Sequence, residues 1–191
     1  MRHYKHNPLR QLISDVSEKW SYDAVGNRVE QEKGTMLTRY SIASTGNRLL
    51  GKDAQSYSYD ANGNMLSDGN LTYSYDGLNR LIKVNTVNGV GLAKYSYNAY
   101  SQRVEKEVSG VKTVYIYGTD GKLLSEADGT TGKVLRDYVL LDGLAFAVLQ
   151  DNKVYYIHPD HLNAPLLVTD ANKNIVWKAS YNPFGRATIE V

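Results

Sequence analysis

The densest group of residues able to do chemistry lies near the end of the chain, in the stretch YYIHPDHL that contains His158, Asp160 and His161, with Asp170 a little beyond. Two imidazoles and a carboxylate so close together could ligate a divalent metal, or form a general base with an orienting acid. The spacing argues against both. On a helix, His residues at i and i+4 converge on one ion, whereas here His-x-x-His follows the strand-like YYI, with Pro159 inside it, and need not converge. The expected role of His158, Asp160 and His161 is structural, tying a turn to the adjacent strand, with no catalytic residue, metal or cofactor.

Asp23, Asp60 and Asp76 raise the possibility of calcium. Each sits alone, 16 or 37 residues from the next, without the dense acidic loop that a calcium site needs. Turn formation is the better reading. No nucleophile elbow and no glycine-rich phosphate loop is present. Tyrosines able to stack on sugar rings are the remaining candidates, although regularly spaced tyrosines more often pack against one another.

The elements that would position these residues come from a repeat. One phrase, Tyr-Asp/Asn-x-x-Gly followed by a polar and an apolar residue, recurs as YDAVGNRV from Tyr22, YDANGNML from Tyr59, YDGLNRL from Tyr75, YNAYSQRV from Tyr97, YGTDGKLL from Tyr117 and YNPFGR from Tyr181. A looser copy starts at Tyr40, and a tyrosine anchor can be followed on through Tyr138 and Tyr156 at a mean spacing of about 19 residues. Two short strands and two turns occupy roughly that length, so each repeat predicts one β-hairpin. Before the turn, the Tyr57/Tyr59, Tyr73/Tyr75, Tyr95/Tyr97 and Tyr115/Tyr117 pairs alternate with other residues, and each pair shares one face of a strand. Asp then starts the turn, and Gly26, Gly63, Gly121 and Gly185, the last after Pro183, supply the positive φ that completes it. Asn79 replaces Gly in one copy and tolerates the same conformation. A second set of turn dipeptides, including Asn88-Gly89 and Ser109-Gly110, returns the chain. A short apolar pattern from Leu9 to Val16 suggests a helix.

Composition agrees with a β fold. The chain has 191 residues, of which 42% are hydrophobic, with 16 Tyr against 2 Phe and 2 Trp. Tyrosine is the aromatic residue for surfaces that stay partly wet. The net charge of +2, from 22 basic and 20 acidic residues, has no dense basic stretch and argues against nucleic acid as a partner. With no cysteine, disulfides and thiolate chemistry are excluded. The longest apolar stretch, residues 138–149, is interrupted by Asp142 and is too short to cross a membrane. The basic first 15 residues lack the apolar core of a signal peptide, which points to export without a cleaved leader or to a true N-terminus elsewhere.

Five or six YDxxG copies at hairpin spacing, followed by YYIHPDHLNAPLLVTDANKNIVWKASYNPFGR, resemble the YD-repeat or RHS (rearrangement hotspot) family over roughly residues 20–186. The resemblance implies an all-β fold: tandem β-hairpins forming a curved, spiralling antiparallel sheet strip, part of a shell that encloses a C-terminal toxin polypeptide before delivery. It divides the chain into a lead-in or cap (1–20), YD-type repeats (21–150) and an RHS-core-like block (151–191). It implies as partners the rest of the shell, the toxin polypeptide and secretion-system or toxin-complex proteins. The protein would reside in the bacterial cytoplasm before export and be secreted or held at the cell surface afterwards. The alternative is a surface carbohydrate-binding or adhesion module. Two details depart from the family pattern: His161-Leu162-Asn163-Ala164 stands where DHLGS or DHLGT is usual, and Asn182 stands where DPFG begins. Some nine repeats are too few to close a shell, so the chain reads as a fragment or a shortened descendant.

Overall fold

In this computed structural model, residues 3–191 are described, and they contain strands and turns but no helix. The chain divides into two compact units, one ending at Leu92 and the other beginning at Ala93. This division falls at neither of the sequence-based boundaries, which follow motif content.

In the first unit, β1 (Lys5–His6), β2 (Leu12–Ser14), β3 (Glu18–Tyr22), β4 (Arg28–Lys33), β5 (Met36–Ile42), β6 (Leu49–Lys52) and β7 (Gln55–Ser56) pair in sequence order, every pair antiparallel. Strands β8 (Ser58–Tyr59), β9 (Met65–Ser67), β10 (Leu71–Tyr75) and β11 (Leu81–Thr86) follow the same rule. Strands β7 and β8 are halves of one extended segment interrupted at Tyr57, whose amide donates to the Leu50 carbonyl at 2.8 Å.

The second unit repeats the plan. Strand β12 (Gly91–Tyr97) starts just before the division, and β13 (Arg103–Val108), β14 (Val111–Tyr117), β15 (Leu123–Asp128), β16 (Val134–Leu141), β17 (Leu144–Gln150), β18 (Lys153–Pro159), β19 (Pro165–Thr169), β20 (Ile175–Tyr181) and β21 (Ala187–Ile189) each pair antiparallel with the next. The expected all-β strip of tandem hairpins is therefore the observed fold.

The expected helix at Leu9 to Val16 is a β-turn, the three-residue strand β2 and a second turn. Leu9 and Val16 lie in the turns and are exposed. Their helix-like spacing is overridden because the segment between them gains ladder partners, Leu12 from β1 and Ser14 from both β1 and β3.

A strip of hairpins has no second layer to cover it, and burial reflects this. Among the described residues no large side chain is fully buried, and the buried set is dominated by small residues such as Ala93, Ala127, Ala147 and Ala179 beside larger neighbours like Tyr115. Trp20 is the main exception at 3% exposed. Beside it, Glu18 is buried, takes Nε2 of Gln31 at 2.6 Å and pairs with Lys33 at 3.1 Å, and the Tyr40 hydroxyl donates to Gln31 at 2.9 Å. A buried carboxylate with both oxygens engaged escapes the large cost of isolation.

Candidate functional site: the clamped turn edge

The repeated turn has one geometry. At Asp23, the backbone amide donates to the Asn27 carbonyl at 2.9 Å and the carbonyl accepts from Gly26 at 3.2 Å. The carboxylate then accepts the amides of Val25 at 3.0 Å and Asn27 at 2.8 Å. This is a type I turn followed by a left-handed residue and a bulge, and the pairing register shifts at the same place, between Ser21 and Tyr22. Gly26 supplies the left-handed residue with φ +95°.

Asp60 with Gly63, and Asp76 with Asn79 at φ +60°, form the same turn. Asn98, following Tyr97, uses its amide oxygen in place of the carboxylate, with Ser101 at the left-handed position. Asn182 does likewise, with Pro183 next and Gly185 in the left-handed place. After Tyr117 the first turn residue is Gly118, which has no side chain; Asp120 accepts the Lys122 amide at 3.1 Å instead, and Gly121 has φ +80°.

Tyrosine binds five of these turns to the one before it. The Tyr22 hydroxyl donates to the Leu12 carbonyl at 2.7 Å, Tyr59 to Leu49 at 2.6 Å, Tyr75 to Met65 at 3.0 Å, Tyr117 to Arg103 at 3.0 Å and Tyr181 to Pro165 at 2.8 Å. Every acceptor is the first residue after the preceding turn. Phe could fill the ring position but could not make this bond. Amide side chains add further links between neighbouring turns: Asn27 to Asn47 at 3.1 Å, Asn64 to Asn79 at 2.8 Å and Asn62 to Asn79 at 3.0 Å. Arginines that leave the turns lie over tyrosine rings, Arg28 on Tyr40, Arg48 on Tyr59, and Arg103 on both Tyr95 and Tyr115, at 4.9 to 5.5 Å.

Two tyrosines pair with acids instead. Burial and the Asp68 carboxylate, 2.7 Å away, push the Tyr73 hydroxyl up to about 12, and burial with Glu126, also at 2.7 Å, does the same to Tyr138. Turn carboxylates move the other way. The Asn27 and Asn64 side chains hold Asp23 and Asp60 below the ordinary carboxylate range, and the Arg80 amide, with its side chain, does so for Asp76.

The His158, Asp160, His161 and Asp170 group is not one constellation. His158 belongs to β18, where Nε2 lies 2.9 Å from Oγ1 of Thr169. Asp160 begins a turn of the repeated type, accepting the amides of Leu162 and Ala164, with Asn163 at φ +63°. His161 is an exposed residue of that turn, and Asp170 starts another turn at the far end of β19. Among the described residues no group of three or more His, Asp or Glu side chains converges as a metal site would require.

Two tyrosine anchors need correction. Tyr156 lies in mid-strand in β18 rather than before the Asp160 turn, and Tyr138 precedes a two-residue turn, Asp142-Gly143, with both residues at positive φ. The even spacing that suggested them is set by hairpin length, which persists when the turn type changes. The sequence reading missed two template turns. Asn7 accepts the Gln11 amide at 3.0 Å with Arg10 at φ +61°, and Asp170 accepts the Asn174 amide at 2.8 Å with Lys173 at φ +67°. Neither has Gly at the left-handed position, but Pro8 after Asn7 and the Asp-x-x-x-Asn spacing at 170 were the available signals.

A family model described as Teneurin YD-shell matches residues 1–190. The chain belongs to the Teneurin YD-shell family. This YD-shell segment is 29% identical over 195 residues to the tRNA3(Ser)-specific nuclease WapA of Bacillus spizizenii, matching 96% of this chain and 8% of that protein. It is 27% identical over 222 residues to the double-stranded DNA deaminase toxin A of Burkholderia cenocepacia, matching 96% of this chain and 15% of that protein. The segment thus spans under a sixth of the length of these relatives. Its fold is similar to part of the Photorhabdus luminescens Tc holotoxin pore structure (mutation TccC3-D651A), with a TM-score of 0.74, 17% identity, and coverage of 97% of this chain and 12% of that one.

Proposed function

We propose that this YD-shell segment is a non-enzymatic length of wall, in a shell that encloses a C-terminal toxin polypeptide and helps to deliver it. The observation that carries this reading is the clamped edge. Each hairpin leans on its neighbours in sequence, tyrosine hydroxyls fix the repeat distance, and the strip keeps both faces open where a pocket-bearing enzyme would bury a core. The nuclease and deaminase names of the relatives support a toxin as the enclosed part, since this chain matches only a small share of each. The partners are the remainder of the shell, the enclosed polypeptide, and secretion-system or toxin-complex proteins; the protein is made in the bacterial cytoplasm and then secreted or carried to the cell surface. The turn residues, from the Tyr22, Asp23 and Gly26 set to Pro183 and Gly185, are structural, as are Tyr156, His158, Asp160 and His161.

A carbohydrate-binding module fits less well. Arg103 already occupies ring faces of Tyr95 and Tyr115, and Arg48 covers Tyr59, so these aromatic surfaces are engaged within the strip. Limited proteolysis of the intact protein tests the proposal. The C-terminal polypeptide should resist cleavage until the shell is denatured, and equal sensitivity inside and outside the shell would refute enclosure.

A further inference from the structure

The second residue after the turn-starting Asp or Asn projects from the turn; at Val25, Leu78, Tyr100, Leu162 and Phe184 it is the amide, and not the side chain, that the carboxylate or amide oxygen holds. Along the clamped edge this position carries Leu9, Val25 and Leu78 in the first unit, and Tyr100, Leu162 and Phe184 in the second, between 48% and 86% exposed. Scattered exposed apolar residues are ordinary. A row placed by one turn template, where polar residues are the normal choice, is not. Only Asn62 and Asp120 break it among the turns of this type on that edge.

We infer that these apolar tips form a seam against the opposite edge of another stretch of YD-type strip. The occupant follows from the two edges themselves. Val16, Met36, Val90 and Val111, which flank the return turns on the opposite edge, are 61% to 75% exposed. A strip with apolar residues on both edges is complementary to more of its own kind, and relatives in which this length is 8% to 15% of the protein have ample chain to supply it. Neighbouring hairpins place turn tips about 10 Å apart along the edge, so the apolar tips fall at multiples of that interval and can interdigitate with a partner edge of the same pitch. Burial at the seam removes apolar surface from water on both sides and also shields the turn amides. This inference rests on the wall proposed above and adds the residues that join one course of the wall to the next.

The test uses the intact protein. With p-benzoylphenylalanine in place of Leu78 or, separately, Leu162, irradiation should form a crosslink within the same chain to return-turn residues of another YD-type stretch. A crosslink to the C-terminal polypeptide, to a different protein or to a second copy, or no crosslink, would overturn the seam. In parallel, V25D combined with L78D should speed protease entry to the C-terminal polypeptide at least tenfold with the far-ultraviolet circular dichroism unchanged, while D120N leaves entry as it was. If the unsubstituted protein gives no protection, the wall reading fails; if protection is normal and V25D with L78D changes nothing, the seam alone fails. Should V25D with L78D not fold, the crosslinks decide.

Discussion

The Tyr75 hydroxyl donates to the Met65 carbonyl across 3.0 Å, joining the end of one hairpin arm to the point where the chain leaves the previous turn. Four other tyrosines make the same bond in their own repeats, so it is a property of the template rather than of one site.

Replacing Tyr75 with Phe keeps the ring and removes the donor, leaving the Met65 carbonyl without this partner. The expected cost is about 1 kcal/mol, read as a lower urea midpoint for the intact protein and faster hydrogen exchange confined to β9 and β10. Tyr100→Phe, at an exposed turn tip, should change neither. Equal effects from the two substitutions would show that the clamp contributes nothing.

Asp60 and Asn98 hold the same turn amides with different side chains. Asp60→Asn therefore keeps the acceptor oxygen and should retain slow exchange at the Asn64 amide, whereas Asp60→Ala should lose it. If alanine protects that amide as well as asparagine does, the side chain is not what holds the turn.

Gly63 has φ +89°, and an added Cβ would meet only the Arg48 guanidinium, at an ordinary 3.6 Å. The penalty for Gly63→Ala is then backbone strain of about 1 kcal/mol. Asn79→Gly relieves a non-glycine residue at φ +60° but removes the amide oxygen that accepts from Asn62 and Asn64, so it should cost less than Gly63→Ala without stabilising the fold. Thermal unfolding of both variants checks the order, and a stable Gly63→Ala protein would contradict it.

The hydrogen-bonded carboxylates and buried phenols predict a loss of stability at both ends of the pH scale. Asp23, Asp60 and Asp170 give up their protons more readily in the fold, chiefly because Asn27, Asn64 and Asn174 donate to them. Their contribution is present at neutral pH and vanishes as pH falls below about 4. Tyr73 and Tyr138 hold their protons more tightly, so they stabilise the fold below pH 10 and that contribution disappears as pH rises from 10 towards 12. Ultraviolet absorbance titration should find two phenols protonated after the others ionise, and Asp68→Asn should return one of them, Tyr73, towards its ordinary value.

The clamped edge was largely legible because its chemistry is local: Tyr-Asp-x-x-Gly specifies a turn through side-chain acceptors and a left-handed residue within five positions. The turns at Asn7 and Asp170 escaped because Arg10 and Lys173 occupy the left-handed place, where pairing of the flanking strands enforces a conformation that their own preferences oppose. The separation of His158 from Asp170 was hidden for a related reason, since it depends on the length of β19 and on a turn with no glycine. Tyrosine alternation announced a shared face, but the hydroxyl acceptors are backbone carbonyls, which carry no residue signature.

The acceptor of each tyrosine clamp lies 10 residues upstream at Tyr22, Tyr59 and Tyr75, 14 at Tyr117 and 16 at Tyr181. All of these intervals are even. Hairpin arms can thus lengthen by matched pairs of residues, one on each strand, while the hydroxyl still meets the same carbonyl. The clamped side keeps a constant pitch and all variation in height is passed to the opposite side, so a lineage can make its strip taller or shorter without redesigning the hinge-like row that sets its spacing.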